Sequence, residues 1–156
     1  MAGSANNFYA LDAQDGSITF ESHVLPADQG MWLCPNGINA TPTIDRSKGV
    51  VYTIAVDGSL YGLDLGTGKP NWGPLQAVPP FSKNWSLNLV DGTVYTSISQ
   101  GCGGARSGIY SMDLRDPARS VIRDLLISKG GGAGIWGRAG GGRERSCLRG
   151  DRGRRI

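Results

Sequence analysis

The sequence predicts an all-β chain: a partial β-propeller of about two full four-stranded antiparallel blades, with flanking strands. Three observations carry this. A hexapeptide pattern occurs three times, as Phe8-Tyr9-Ala10-Leu11-Asp12-Ala13, Leu60-Tyr61-Gly62-Leu63-Asp64-Leu65 and Ile109-Tyr110-Ser111-Met112-Asp113-Leu114, with tyrosines 52 and then 49 residues apart. Self-similarity at a period of about 40–50 residues marks propeller blades. Between the copies, β-branched and aromatic residues alternate at the two-residue period of strands. Asp-Gly and Gly-x-Gly turn signals separate those runs.

The elements follow in chain order. The N-terminal segment supplies the last two strands of a blade, near Asn7–Ala13 and Ser17–Ser22, a remnant covering residues 5–22. The next blade, residues 38–75, opens with Ala40-Thr41-Pro42-Thr43-Ile44 as its innermost strand. Asp45 to Gly49 turns into a second strand, Val50 to Val56, and Asp57-Gly58 signals a tight hairpin. Ser59 to Leu65 is the third strand, Gly66-Thr67-Gly68 turns again, and a short fourth strand carries Trp72. Residues 85–123 repeat the plan: Trp85 to Leu89, the Asp91-Gly92 turn, Thr93 to Ile98, the longer loop Ser99 to Ser107, Ile109 to Leu114, and a last strand near Val121-Ile122. Residues 134–137 begin another blade, so the propeller region runs over 5–136.

Strand direction assigns the loops to ends. In an up-and-down blade, the turn between strands two and three lies at the same end as the link to the next blade. Loops 23–37, 57–58, 76–84, 99–107 and 124–134 therefore share one face. That face collects Trp32, Cys34, Lys83, Cys102, Arg106 and Lys129, with Trp85 and Trp136 at its rim. Binding residues concentrate on loops held by a rigid scaffold, so this face carries the candidates for cofactor contact: Trp85, Cys102, Arg106 and Trp136.

Charge is unevenly distributed. The net +3 resolves into 9 Lys/Arg against 11 Asp/Glu over residues 1–136, and 7 Arg against Glu144 and Asp151 over residues 137–156. A tail of Gly and Arg with too few apolar residues to bury is expected to be disordered over 138–156. Arg clusters attract phosphate, but no aromatic residues interleave and no nucleic-acid module adjoins, so nucleic acid is not the expected partner. A GC-rich gene read out of frame yields this composition, and that is the preferred origin of the tail. No apolar run is long enough for a membrane helix, and no signal-peptide pattern is visible. A closed propeller needs at least four blades. The chain is therefore expected to be a fragment whose partners are the remaining blades, or other copies joined through open edges.

The motif and its following turn resemble the repeat of the pyrroloquinoline-quinone-binding-like propellers, roughly aromatic-Ala-x-Asp-x-x-Thr-Gly-x-x-x-Trp. The second copy matches from Tyr61 through Asp64, Thr67 and Gly68 to Trp72, departing at Gly62 for Ala. The first keeps Tyr9, Ala10, Asp12 and Gly16, with Asp15 for Thr and Phe20 for Trp. The third keeps Tyr110 and Asp113 and loses Thr-Gly and Trp, with Asp116-Pro117 and Val121 in their place. The resemblance implies either a periplasmic or extracellular quinoprotein oxidoreductase, acting on alcohols or sugars with the quinone (PQQ) and Ca²⁺, or a cofactor-free relative that scaffolds other proteins. The motif includes none of the cofactor ligands, and the vicinal Cys-Cys pair of the alcohol-oxidising branch is missing, so the isolated chain is expected to be inactive. The repeat residues have a structural purpose of their own. The aspartates accept N–H groups of their turns, the glycines allow positive φ, and Trp72 packs toward a neighbouring blade.

Other candidate chemistry is sparse. Gln100-Gly101-Cys102-Gly103-Gly104 can face a ligand with its backbone N–H groups or be a plain hairpin; both readings stand. Cys34 and Cys102 share a face, and an oxidising compartment would let them pair if their Cα atoms lie within reach. Lys129 to Arg138 reads as a ligand-facing loop or a linker, matching no phosphate-binding fingerprint. His23, the single histidine, has no carboxylate, serine or cysteine partner in the pattern. No residues take zinc-ligand or calcium-loop spacing.

Overall fold

Short runs of β-branched and aromatic residues, cut by Asp-Gly and Gly turns, fold into three antiparallel sheets stacked face to face. The structure is a computed structural model that describes residues 6–24, 34, 37–116 and 123–126. The first sheet pairs β1 (Asn7–Leu11) with β2 (Ile18–His23). The second runs, from inner to outer edge, β3 (Thr43–Asp45), β4 (Val50–Ile54), β5 (Ser59–Asp64) and β6 (Pro70–Gln76). In the third, β9 (Thr93–Ser99) is flanked on one side by the short β7 (Lys83–Asn84) and β8 (Asn88–Val90), and on the other by β10 (Gly108–Asp113) and then β11 (Arg123–Leu126). No α-helix occurs among the described residues; one 3-10 turn spans Cys102–Gly104.

The central strands of the second sheet, β4 and β5, are buried on both sides. Along β4, Val50, Tyr52 and Ile54 enter a core shared with the third sheet, where Val94, Ile98, Tyr110 and Met112 meet them. Their neighbours Val51 and Ala55 enter a second core with Phe8 of the first sheet. The next strand repeats the split, with Leu60 on one side and Tyr61 and Leu63 on the other. Successive side chains point to opposite faces of a strand, so a strand covered twice must be apolar at both parities, and Val50–Ile54 is buried throughout. Inner strands also touch: the Leu87 N–H donates to Thr41 O across the two sheets at 2.9 Å.

Two expectations change. The inner strand expected over Trp85–Leu89 is broken into β7 and β8, because Trp85 N–H bonds to Ser97 O while Leu87 N–H turns to Thr41 of the neighbouring blade. The Asp57-Gly58 dipeptide makes a three-residue hairpin with a bulge, not a two-residue turn. Gly58 N–H bonds to Ala55 O, Ala55 N–H to Ser59 O, and only Gly58 of the pair is at positive φ (82°). Asp91-Gly92 does form the two-residue turn, with φ of 48° and 73°. The last described strand of the third sheet is Arg123–Leu126, so residues 124–126, expected in the 124–134 loop, are strand paired to β10; Val121, Ile122, Lys129 to Arg138, Trp32, Trp136 and the tail 138–156 lie outside the described residues.

The Gly62 departure from the repeat has a direct cause. Gly62 pairs with Trp72 across β5 and β6, and a Cβ there would sit 2.9 Å from Trp72 Cβ and 3.1 Å from Val50 Cγ1. Trp72 lies edge-on to Tyr52 of its own sheet, centroids 5.8 Å apart, and packs against the core between the second and third sheets. In the first sheet Phe20 takes the Trp position and reaches across to the next blade: a Cβ on Gly68 would lie 2.3 Å from its ring. Gly62→Ala should cost about 1–3 kcal/mol through overpacking. Gly66→Ala, which meets only ordinary contact at 3.5 Å, should stay within about 0.5 kcal/mol. Urea unfolding of the two variants checks the pair; equal stabilities would refute the packing account.

Candidate functional site

At the turn end, each repeat aspartate closes its own loop. Asp64 Oδ1 accepts from the N–H of Gly66 at 3.1 Å, the N–H of Thr67 at 2.8 Å and the Thr67 hydroxyl at 2.8 Å. Asp12 Oδ1 accepts the Gln14 N–H at 2.7 Å, and Asp113 Oδ1 accepts the N–H of Arg115 at 3.0 Å. The first two turns superpose in their bonding: Asp12 N–H to Ser17 O and Gly16 N–H to Asp12 O match Asp64 N–H to Lys69 O and Gly68 N–H to Asp64 O. Asp15, standing where the repeat has Thr, keeps the threonine's acceptor role but cannot donate to Asp12 as the Thr67 hydroxyl donates to Asp64. Its carboxylate accepts the Ser17 N–H as the Thr67 hydroxyl accepts that of Lys69. The same device recurs at Asp45 with Ser47 and at Asp57 with Ser59. An Asp-x-Ser spacing at 15–17, 45–47 and 57–59 was the sequence signal for it.

The opposite end is where the long loops meet. Cys34, ahead of the second sheet, is bonded to Cys102 in the β9–β10 loop, with Cα atoms 5.4 Å apart. The Gly58 hairpin is clamped by the linker after β6: Gly58 O accepts from Ala77 and Val78 N–H, and Gln76 Nε2 donates to Asp57 O and Val78 O. Phe81 N–H reaches Val56 O at 2.8 Å. Gly103 rests on the same linker so closely that a Cβ would be 2.0 Å from Pro80 O. Asn6, fully buried, joins the first two sheets, its Oδ1 accepting Val56 N–H at 3.1 Å and its carbonyl accepting Val24 N–H. Loops 57–58, 76–84 and 99–107 thus share one end with Cys34, as strand direction requires.

Of the sequence-predicted candidates, Trp85, Cys102 and Arg106 are described, and each is engaged with protein. Trp85 Nε1 donates to Ser99 Oγ at 2.8 Å, and Lys83 Nζ stands 5.8 Å over the Trp85 ring while donating to Gln100 Oε1 at 2.8 Å. Cys102 is buried and its sulfur is committed to the disulfide. Arg106 is exposed, and its carbonyl accepts the Tyr110 hydroxyl at 3.1 Å. Within the Gln100–Gly104 loop, Gly103 faces protein, whereas a Cβ on Gly101 or Gly104 would meet nothing within 4 Å. The close approach of Gly103 is to the Pro80 backbone, which makes that glycine a packing requirement. His23 does have a carboxylate neighbour: Glu21, two residues back on the same strand face, lies 3.4 Å from Nε2, and Nδ1 is 2.6 Å from Asn7 Oδ1. This cluster is exposed where β2 runs into loop 23–37, beside Asn6 and Val24 at the long-loop end. Asn6, Gln76 and Ser99 escaped the sequence reading because single polar residues carry no pattern.

The carboxylates of Asp45, Asp57, Asp64 and Asp113 are each turned onto their own loop, and among the described residues no group of three or more His, Cys, Asp or Glu side chains could hold a metal ion. No helix of the described residues is long and apolar enough to cross a membrane.

Turn bonding also sets the carboxyl pKa values. The Arg115 guanidinium, then its N–H, hold Asp113 down from 3.8 to about 2. The Thr67 hydroxyl and N–H lower Asp64, the Ser47 hydroxyl lowers Asp45, and the Ser17 N–H lowers Asp15. A carboxyl held below its unfolded value stabilises the fold fully above that value and loses the contribution as pH falls through the folded one. The thermal midpoint should therefore decline between about pH 4 and about pH 2, and Asp113→Asn should flatten that decline. A midpoint independent of pH over that window would contradict the turn assignments.

No family model matches this chain, and no curated protein matches it. Among solved structures it is similar to BamB from Moraxella catarrhalis, with a TM-score of 0.54 and 16% sequence identity over 83% of this chain and 40% of that one. The chain thus spans about two fifths of the length of that structure. Together with the stacked antiparallel sheets, this likeness shows that the fold is a partial β-propeller.

Proposed function

We propose that this chain is part of a non-catalytic propeller scaffold that binds other proteins at the end where Cys34 meets loops 57–58, 76–84 and 99–107. The observation that carries the reading is how these loops are spent: the disulfide, the Gln76 clamp, the Gly103–Pro80 contact and the Lys83–Gln100 bond tie them to one another. Loops fastened in this way make a pre-organised surface, which lowers the ordering cost of binding a protein. The exposed Arg106 and Gln100 offer polar contacts on that surface. The resemblance in the repeat includes cofactor-free scaffolds and accommodates this role. A disulfide persists in oxidising compartments, which supports a periplasmic or extracellular location. A quinoprotein oxidoreductase as the parent rests on the repeat alone, since Trp85 and Cys102 are engaged with protein.

A photo-crosslinker at Arg106 should give discrete protein adducts in cells of the source organism, while one at exposed Lys69, on the opposite end, should not. In parallel, titration of pyrroloquinoline quinone with Ca²⁺ should leave tryptophan fluorescence without a saturable change. Adducts equal from both ends, or Ca²⁺-dependent saturable quinone binding, would overturn the scaffold reading.

A further inference from the structure

We propose that Cys34–Cys102 is a thiol-exchange site that switches the β9–β10 loop between a docked and a released state. As a regulation of partner binding, this rests on the loop end being the binding surface. The bridge joins residues 68 apart in sequence, and it spans from the segment ahead of the second sheet to a loop of the third. Across the junction it holds, two non-glycine residues adopt the left-handed region: Gln100 at φ 69° in the loop and Phe81 at φ 59° in the linker beneath. Such conformations are costly and persist where the surroundings over-determine them. Gly103 sits against Pro80 between them, and Lys83 reaches over to Gln100.

The second and third sheets share a core that does not include the bridge. Val94, Ile98 and Met112 are fully buried, and β9 and β10 pair from Thr93–Ile98 to Gly108–Asp113 without the loop. Releasing the bridge therefore frees a loop and leaves the ladder standing. Access favours attack at one sulfur. Cys34 is half-buried and Cys102 fully buried, so the thiolate of a dithiol reductant attacks Cys34 Sγ and Cys102 departs as thiolate. The second reductant thiol then displaces Cys34 and closes the reductant's own disulfide. Two electrons and two protons pass to the protein, which ends with two thiols.

Amide exchange read by mass spectrometry, with dithiothreitol as the dithiol, tests this on the full chain without any partner. Reduction should raise exchange in peptides covering 99–107 by about tenfold or more, with β4, β5, β9 and β10 unchanged. Cys34→Ser should show the released pattern without reductant and gain nothing further from it. Unchanged exchange in 99–107 on reduction, or loss of protection in the sheets together with the loop, would overturn the switch. Because no partner is present, those failures leave the binding reading standing, and a failure of the crosslinking experiment leaves the exchange result standing.

Discussion

Val51, Ala55, Tyr61 and Leu63 on one face, and Val50, Tyr52, Ile54 and Leu60 on the other, make the β3–β6 sheet a slab that has to be covered twice. Each such side chain taken from water is worth about 1.5–3 kcal/mol, whereas a turn hydrogen bond nets about 0.5–1.5 kcal/mol. Face-to-face packing therefore sets the architecture, and the turns fix its details. A sheet satisfied on one side by the β1–β2 pair and on the other by the β7–β11 sheet is stable only through its neighbours, as in other repeat proteins. Phe20 on Gly68 and Leu87 on Thr41 are the points at which adjacent units are keyed together.

The loop end follows from the same constraint. Stacked sheets bring the hairpin of one blade, the linker after it and the loop of the next blade to a common edge, where backbone groups must find partners. Gly58, Ala77 and Val78 satisfy one another, Asn6 is spent on Val56, and Gly103 lets two backbones touch. The result is an end fixed by main-chain contacts, by the Gln76, Lys83 and Trp85 side-chain bonds and by one disulfide.

Much of the blade plan was legible because turns and alternation are local. The repeat aspartates, Gly16 and Gly68 could be placed from spacing alone, since an Asx turn needs only a carboxylate and the next few N–H groups. Features set by tertiary contact were not legible. Asp57-Gly58 and Asp91-Gly92 are the same dipeptide with different geometries, because the first is gripped by the 76–78 linker. Alternation runs unbroken through Trp85–Leu87, yet the inner strand breaks there as Leu87 turns toward Thr41. Cys34 and Cys102 could be assigned to one face, but only folding shows their Cα atoms at 5.4 Å. Asp15 in the Thr position departs from the repeat yet keeps an acceptor for the N–H two residues on.

The most direct test of face-to-face packing is a mutant cycle across the first and second sheets. Gly68→Ala carries the strain of its φ of 70° and a clash with the Phe20 ring, whereas in a Phe20→Ala background only the strain remains. If Phe20 covers the second sheet, the two substitutions should couple by about 1–2 kcal/mol in urea unfolding, with Gly68→Ala the cheaper change once the ring is gone. Additive effects would mean that the β1–β2 pair does not rest on the slab, and the account of how this chain holds together would fail.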